Sequence, residues 1–240
     1  MVAVDALAGL DDHQRVVATT WGGPLCVLAG AGTGKTRALT HRIAYGIQEG
    51  HYQPDHVLAL TFTAKAASEM GTRLQGLGVR GVAARTFHSA ALRQLQHFWP
   101  TVAGGRLPDI SGSKGRLVAQ ALESLHLGVD TAILRDIAAD IEWRKVHGLT
   151  IEQYQTQRQG TPGDVPGGMS IEAMASIHER YERVKDEASR IDFEDVLLAT
   201  VGLMEENSQV LEKVRAQYSA LLVDEYQDVS PLQQRLLDLW

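Results

Sequence analysis

The chain has 240 residues, of which 44% are hydrophobic and 22% are charged, and it contains one cysteine, Cys26. This composition is close to that of soluble globular domains and excludes disordered, collagen-like and coiled-coil chains. One cysteine excludes an internal disulfide framework and a cysteine-rich zinc site. The first residues lack the pattern of a secretory signal, and residues 196–204, the longest apolar run, are far short of the ~20 residues of a membrane span. We therefore expect a soluble cytoplasmic protein with one large or two small domains.

The net charge of −6 is unevenly distributed along the chain. Residues 1–92 carry a net charge of +2, residues 93–190 carry −1, and residues 191–240 carry −7. Electrostatic fields act through local patches and are screened over about 8 to 10 Å in salt. The overall acidity therefore does not exclude a local cationic site for nucleic acid.

The first 92 residues alternate short apolar runs with longer helical patterns. In chain order we predict a strand at 25–29, a helix at about 34–49, a strand at 56–62, a helix at 64–74 and a strand at 82–86. Strands alternating with helices predict a parallel sheet with crossover helices. The first strand contains Cys26, which we expect to be a buried core thiol.

The strand signals stop after Phe98. Apolar residues then recur at helical spacing around residues 117–125, 131–146 and 171–190, and the Pro/Gly cluster at 160–168 predicts a mobile loop. Residues 219–228 return to a buried strand, and Pro231 opens a last helix over 232–239. This order predicts an α/β domain of residues 1–93 plus about 217–240, with residues of about 94–216 forming an inserted all-helical subdomain.

A phosphate-binding loop follows the first predicted strand and precedes a helix. Its glycines let backbone N–H groups converge on phosphates, Lys35 reaches the β- and γ-phosphates, and Thr36 ligates Mg²⁺. The generic pattern begins with Gly where this chain has Ala. The residues expected to hold the nucleotide are Ala29, Gly30, Ala31, Gly32, Thr33, Gly34, Lys35 and Thr36.

Such a loop needs a carboxylate partner for Mg²⁺ and for the attacking water. Asp224 ends an apolar strand in the run LLVDEYQD, and Glu225 follows it directly. We expect Asp224 to act on the metal and Glu225 to polarise the nucleophile. Together the two motifs predict nucleoside triphosphate hydrolysis.

Five motifs stand in a set order, and that order carries a family resemblance. They are AGAGTGKT followed by Arg37, TFTAKAASEM (61–70), TFHS (86–89), DFEDVLL (192–198) and VDEYQDVSPLQ (223–233). They resemble the UvrD/Rep/PcrA family of superfamily 1 DNA helicases over essentially the whole chain. The sequence looks closest to the actinobacterial branch of that family. Upstream, GLDDHQ (9–14) resembles that family's adenine-reading glutamine motif. Ala is usual in that family at position 29.

The resemblance implies a P-loop NTPase fold of the RecA-like type and assigns residue roles. Gln14 would bind the adenine of ATP, and Arg37 would lie near the nucleotide. Lys35 and Glu225, the latter as the base, would be catalytic, and Thr36 and Asp224 would hold Mg²⁺. Gln227 and Asp228 would link hydrolysis to the DNA side.

Two loops at strand ends would contact single-stranded DNA on the same resemblance. Their residues are Thr61, Phe62 and Thr63 in one loop and Thr86, Phe87 and His88 in the other. Aromatic rings and hydroxyls suit base stacking and phosphate contacts. The alternative is that both phenylalanines belong to the core and that His88 is structural. Where the family usually has Asn, this chain has Ala64.

The sequence therefore predicts the N-terminal ATP- and single-stranded-DNA-binding part of an ATP-dependent 3′–5′ DNA helicase of repair or replication. Such a protein would be cytoplasmic and nucleoid-associated, and its partners would be DNA and the helicase domains beyond Trp240. We expect the chain alone not to unwind DNA, because the second motor domain supplies arginines to the transferred phosphoryl group. The rivals are a short non-enzymatic ATP- and DNA-binding module and a different P-loop NTPase, although no LSGGQ-like signature supports the latter.

Overall fold

The computed structural model of the chain describes residues 5–30, 32–128, 130–159 and 165–240. The helices up to residue 124 are α1 (Asp12–Thr19), α2 (Lys35–Gln48), α3 (Ala64–Gly76), α4 (Phe87–Trp99) and α5 (Lys114–Ser124). The later helices are α6 (Thr131–Val146), α7 (Ile151–Gln159), α8 (Ile171–Glu187), α9 (Phe193–Glu206), α10 (Ser208–Gln217) and α11 (Pro231–Leu239). The strands are β1 (Val57–Thr61), β2 (Ala83–Thr86), β3 (Asp109–Ile110), β4 (Arg190–Ile191) and β5 (Ala220–Val223). Within the described ranges, no helix combines the length and apolarity that crossing a membrane requires.

The chain divides into two compact units. Residues 1–90, 208–229 and Trp240 form a sheet unit, and residues 91–207 with 230–239 form a helical unit. The sequence placed the boundaries at about 93 and 216, within a few residues of the first division and nine residues beyond the second. It also assigned the last helix to the α/β domain, whereas α11 groups with the helical unit.

Among the described residues, three parallel strands in the order β2-β1-β5 form the sheet of the sheet unit. Every residue of the central strand, Val57–Thr61, is buried, which explains why its sequence is a continuous apolar run rather than an alternating one. Ile43 from α2 and Met70 from α3 pack with Val57 and Ala59 in one apolar cluster. The parallel sheet and the crossover helix α3 that the sequence predicts are thus confirmed.

The predicted first strand is wrong. Residues 25–29 form no strand and lie exposed, and 93% of the surface of Leu28 is accessible. Apolar residues favour extended backbone, but a strand also needs a neighbour that completes its ladder of hydrogen bonds. β1 lies between β2 and β5, and within the described part of the chain residues 25–29 pair with neither outer edge. Cys26 is consequently exposed, so the expectation of a core thiol is also wrong.

The helical unit has its own apolar core. Leu117 and Val118 from α5, Ile137 and Ile141 from α6 and Tyr181 from α8 belong to a single buried cluster. The helical spacing that predicted α5 and α6 is therefore the spacing of their buried faces. β3 and β4 pair in parallel near the two ends of the predicted insert, so this unit is not purely helical. Within the predicted loop at 160–168, residues 160–164 lie outside the described residues, and Pro166–Gly168 form a short 3₁₀ turn.

Two buried lysines form an ion network with three carboxylates in the helical unit. Lys145 Nζ lies 2.5 Å from Asp192 Oδ2, 2.6 Å from Asp195 Oδ1 and 3.2 Å from Glu182 Oε1. Lys185 Nζ pairs with Asp195 and lies 2.5 Å from Glu182 Oε2. Buried charges are tolerated only when they are paired and hydrogen-bonded. The network therefore ties α6, α8 and the start of α9 together.

The DFEDVLL motif supplies the acidic half of this network. Asp192 caps α9 in a capping box with Asp195, and its Oδ2 also accepts a hydrogen bond of 2.7 Å from the hydroxyl of Tyr181. Burial would raise the pKa of Asp192, but Lys145 and Lys185 outweigh burial and hold that pKa well below its usual range. The motif is thus explained by folding, as a charged start of a helix.

We expect Asp192→Asn to lower the free energy of unfolding by about 3 to 5 kcal/mol, because it leaves buried lysine charge uncompensated. Glu179→Gln removes an exposed pair with Arg183 and should cost less than about 1 kcal/mol. Urea denaturation of both variants measures the difference. Because the folded-state pKa of Asp192 is depressed, the difference should be full above about pH 5 and fade as the pH falls below about 4. Equal stabilities of the two variants at neutral pH would contradict the assignment.

Candidate functional site

The glycines of the phosphate-binding loop adopt the backbone that the loop requires. Gly32 and Gly34 have φ values of 76° and 84°, a region that residues with a Cβ rarely occupy. Gly34 is the N-cap of α2, so the free N–H groups of a 14-residue helix begin at Lys35. Ala31 lies outside the described residues. The local geometry is that of an anion site at a helix N-terminus.

Lys35 closes over this loop. Its Nζ donates hydrogen bonds to the carbonyl oxygens of Ala29 and Gly30 at 3.1 and 3.4 Å. The same atom lies 3.9 Å from Glu225 Oε2. The ammonium group therefore stands between the loop and the acidic segment that follows β5.

Thr36 and Asp224 meet directly. The Thr36 hydroxyl donates a hydrogen bond of 2.7 Å to Asp224 Oδ2. The Asp224 amide in turn donates to the carbonyl of Leu60 at 2.9 Å, which extends the pairing of β5 with β1 by one residue. A hydroxyl and a carboxylate are oxygen donors of the kind that Mg²⁺ prefers. The two residues predicted to hold the metal are thus side by side.

Glu225 has an unusual backbone. Its φ and ψ of 52° and 46° place a non-glycine residue in the left-handed region, which costs about 1 to 3 kcal/mol and is characteristic of functional sites. The turn directs its side chain to Gln227, whose Nε2 donates a hydrogen bond of 2.6 Å to Glu225 Oε2. Gln227 therefore holds the carboxylate of the predicted base.

The N-terminal segment is bound to the phosphate loop through two side chains. Gln14 Nε2 donates to the Thr33 carbonyl at 3.0 Å, and an Arg37 guanidinium nitrogen donates to the Gly9 carbonyl at 2.8 Å. A Cβ at Gly34 would come within 2.5 Å of Gln14 Nε2. The Gln14 amide thus lies directly against the loop at Gly34.

These elements line one cleft of about 820 Å³. The lining residues that the sequence predicts as site residues belong to the phosphate loop or are Arg37 and Glu225. The sequence did not predict its other side, which is formed by Thr40 and His41 of α2 and by Arg73, Gly76 and Leu77. Those positions follow from the packing of α3 against α2, and no local motif marks them. Arg73 adds a cation in the last turn of α3.

In the first predicted DNA loop, two hydroxyls serve the local fold. Thr61 is 2% exposed, and its hydroxyl donates to the Thr63 carbonyl at 3.1 Å. Thr63 is the N-cap of α3, because its Oγ1 accepts a hydrogen bond from the Ala66 amide at 3.1 Å. Only Thr63 is exposed, so it alone of the two threonines presents its side chain to a ligand.

The two phenylalanines differ in exposure. Phe87 is 1% exposed and stacks with Trp240 at a centroid distance of 6.3 Å, so its ring is a core ring in this conformation. Phe62 is half-buried and packs against Phe87 at 5.6 Å. Phe62 therefore has a supported ring with part of its surface free for stacking.

In the second predicted DNA loop, Thr86 and Ser89 form reciprocal hydrogen bonds at the start of α4. The Ser89 amide donates to Thr86 Oγ1 at 3.1 Å, and the Thr86 amide donates to Ser89 Oγ at 3.0 Å. Burial lowers the pKa of His88 to about 4. His88 is consequently neutral near pH 7 and contributes no charge to phosphate binding there.

Comparison with known proteins finds a family match over nearly the whole chain. The model of the UvrD/REP helicase N-terminal domain matches residues 10–240. The chain is 43% identical to the ATP-dependent DNA helicase UvrD2 of Mycobacterium tuberculosis, with 100% of the chain and 36% of the relative aligned. It is 32% identical to the ATP-dependent DNA helicase PcrA of Bacillus subtilis, with 96% of the chain and 31% of the relative aligned.

The chain thus spans about a third of the length of these relatives. The matched stretch includes the phosphate loop, the two strand-end loops and the acidic segment after β5. The chain belongs to the UvrD/REP helicase N-terminal domain family, which has the P-loop NTPase fold.

Proposed function

We propose that the sheet unit binds ATP with Mg²⁺ and single-stranded DNA, as the N-terminal part of an ATP-dependent 3′–5′ DNA helicase of repair or replication. The observation that carries the proposal is the 2.7 Å hydrogen bond between Thr36 and Asp224. This contact supports the proposal because it joins the start of α2 to the acidic segment after β5, and phosphoryl transfer needs a phosphate loop and a carboxylate at one site.

At the γ-phosphate, different residues of the chain would bind phosphate, hold Mg²⁺ and activate water. Lys35 would leave the carbonyls of Ala29 and Gly30 and donate to the phosphate oxygens, assisted by the N-terminus of α2. Thr36 and Asp224 would hold Mg²⁺, which supplies charge neutralisation to the β- and γ-phosphate oxygens when it is bound. Glu225, held by Gln227, would orient the attacking water and accept its proton.

The DNA side would lie where the parallel strands end. β1 and β2 run in the same direction, so Phe62, which follows β1, and Thr86, which ends β2, both lie at the carboxyl edge of the sheet. Asp224 follows the carboxyl end of β5 at this edge as well. A strand bound there would be adjacent to the acidic segment that responds to nucleotide. The half-buried ring of Phe62 is the group best suited to stack on a base.

Further helicase domains would be needed for unwinding. The chain covers 36% of the length of its mycobacterial relative, and we propose that further helicase domains act as its partner, at the nucleoid in the cytoplasm. An arginine supplied to the transferred phosphoryl group is worth about 10³ to 10⁵ in rate. We accordingly expect residues 1–240 to bind ATP and DNA without unwinding a duplex.

Lys35→Ala should lower the affinity for ATP by at least about tenfold, because it removes a charged hydrogen-bond donor to phosphate. Calorimetric titration with ATP in the presence of Mg²⁺ measures the affinity. Lys65→Ala is a matched control, since Lys65 is exposed on α3 and pairs only weakly with Glu69. Equal ATP affinities of the two variants would refute the phosphate-loop assignment.

Phe62→Ala should weaken binding of single-stranded DNA by about 1 to 3 kcal/mol, the range for one base stacked on an aromatic ring. Fluorescence anisotropy with a labelled oligothymidylate measures this change. Phe98→Ala removes another half-buried phenylalanine, which belongs to the helical unit and contacts His97, and should leave the affinity unchanged. The stacking role fails if both variants bind DNA as tightly as the unsubstituted chain.

A further inference from the structure

His178 is a buried histidine of the helical unit that the proposed nucleotide and DNA sites do not use. It lies on α8 with none of its surface exposed. Its Nε2 lies 3.1 Å from Asp140 Oδ2 on α6, and because an ionised carboxylate only accepts hydrogen bonds, Nε2 carries the proton of the neutral ring. The other ring nitrogen, Nδ1, is buried and has no hydrogen-bond partner in the described part of the chain. A second proton on the ring would therefore find no acceptor.

Asp140 joins three helices through this contact and two others. Its Oδ2 also accepts a hydrogen bond of 2.6 Å from the hydroxyl of Tyr154 on α7, and its Oδ1 pairs with Arg158 of the same helix. Burial would raise the pKa of Asp140, but the hydrogen bonds from His178 and Tyr154 and the charge of Arg158 hold that pKa below its usual range. The carboxylate is thus ionised and connects α6, α7 and α8.

α7 depends on these contacts for its place in the unit. It has nine residues, of which Tyr154 alone is buried. The Tyr154 ring lies 4.6 Å from the His178 ring, centroid to centroid, and Arg158 is the second side chain of α7 that reaches Asp140. A helix this short is marginal in water without tertiary contacts. The state of the His178–Asp140 pair therefore bears directly on whether α7 stays bound.

The charges buried around His178 balance when its ring is neutral. Four cations are linked by ion pairs to four carboxylates, and the members are Arg144, Lys145, Arg158 and Lys185 with Asp140, Glu182, Asp192 and Asp195. α5 and β4 also pack against α8, but among their described residues none forms an ion pair with His178. A protonated His178 would consequently add a buried charge without a counterion, which is costly.

His178 is neutral near pH 7 in the folded chain. Burial lowers its pKa, and Arg144 acts in the same direction, whereas the hydrogen bond to Asp140 opposes the shift. Once α7 leaves, water reaches the ring, which then takes up a proton with an ordinary pKa of about 6.5. The open state thus binds more protons than the closed state below about pH 6.5, so acid favours opening.

We propose that His178 and Asp140 form a pH-sensitive switch in the helical unit. The neutral His178 ring holds α7 on α6 and α8 through Asp140, and protonation of Nδ1 by solvent releases α7 while the sheet unit stays folded. Local openings of this kind occur in the least stable elements of a fold, and histidine is the side chain that titrates in this pH range.

Hydrogen–deuterium exchange of residues 1–240 between about pH 7.5 and pH 5, corrected for the intrinsic exchange rates, tests the proposal. The protection of α7 should fall by up to about tenfold per pH unit below about pH 6.5, since opening takes up one proton. Protection of α3, a sheet-unit helix without histidine, should stay constant. A constant ratio of α7 to α3 protection would overturn the proposal, and so would equal losses in α6, α7 and α8.

Three variants identify the group that titrates. His178→Gln keeps an amide donor for Asp140 but takes up no proton, so α7 protection should no longer depend on pH. His97→Gln is the matched control, because it removes an exposed histidine of the same unit and should leave the fall unchanged. Arg158→Gln removes one buried cation, so a protonated His178 restores the balance of charge and acid should then strengthen α7 protection.

The Arg158→Gln variant and the unsubstituted chain decide the question even if His178→Gln does not fold. A fall in α7 protection that persists in His178→Gln would show that another group titrates. The same fall in Arg158→Gln would show that buried charge balance does not control α7. Either result overturns the proposal.

Discussion

The hydrogen bond between Thr36 and Asp224 joins positions 188 residues apart, and the arrangement of the nucleotide site depends on it. Thr36 lies in the first turn of α2, and Asp224 follows β5. Their contact therefore sets the phosphate loop against the carboxyl edge of the sheet. Lys35 and Glu225 then face one cleft. Since β1 pairs with both β2 and β5 in parallel, the loops after β1 and β2 reach the same edge. Ligand sites at this edge are a general consequence of open parallel sheets.

The helical unit depends on a different constraint, the pairing of buried charge. Lys145 and Lys185 are buried with Glu182, Asp192 and Asp195 as partners. Each group alone would be expensive to bury, so the five are stable only as a set. Such a network specifies how α6, α8 and α9 meet. It also accounts for the DFEDVLL motif without a ligand.

Local patterns predicted what depends on local chemistry. Lys35 and Glu225, predicted from a glycine-rich turn and from an acidic strand end, line one cleft, because neighbouring residues set the backbone at both places. Features set by distant contacts could not be predicted. Residues 25–29 have the composition of a strand but no ladder partner within the described chain. Phe87 is an aromatic residue in a loop predicted to stack on DNA bases, yet its ring packs against Trp240.

We propose that Thr36 and Asp224 act as one unit toward Mg²⁺ and ATP. A double-mutant cycle of Thr36→Val and Asp224→Asn, read as ATP affinity with Mg²⁺ and with a chelator, tests it most directly. We expect each single variant to weaken ATP binding in Mg²⁺, the double variant to be little weaker than the worse single one, and all affinities to converge in chelator. Additive losses, or losses of equal size without Mg²⁺, would contradict the account.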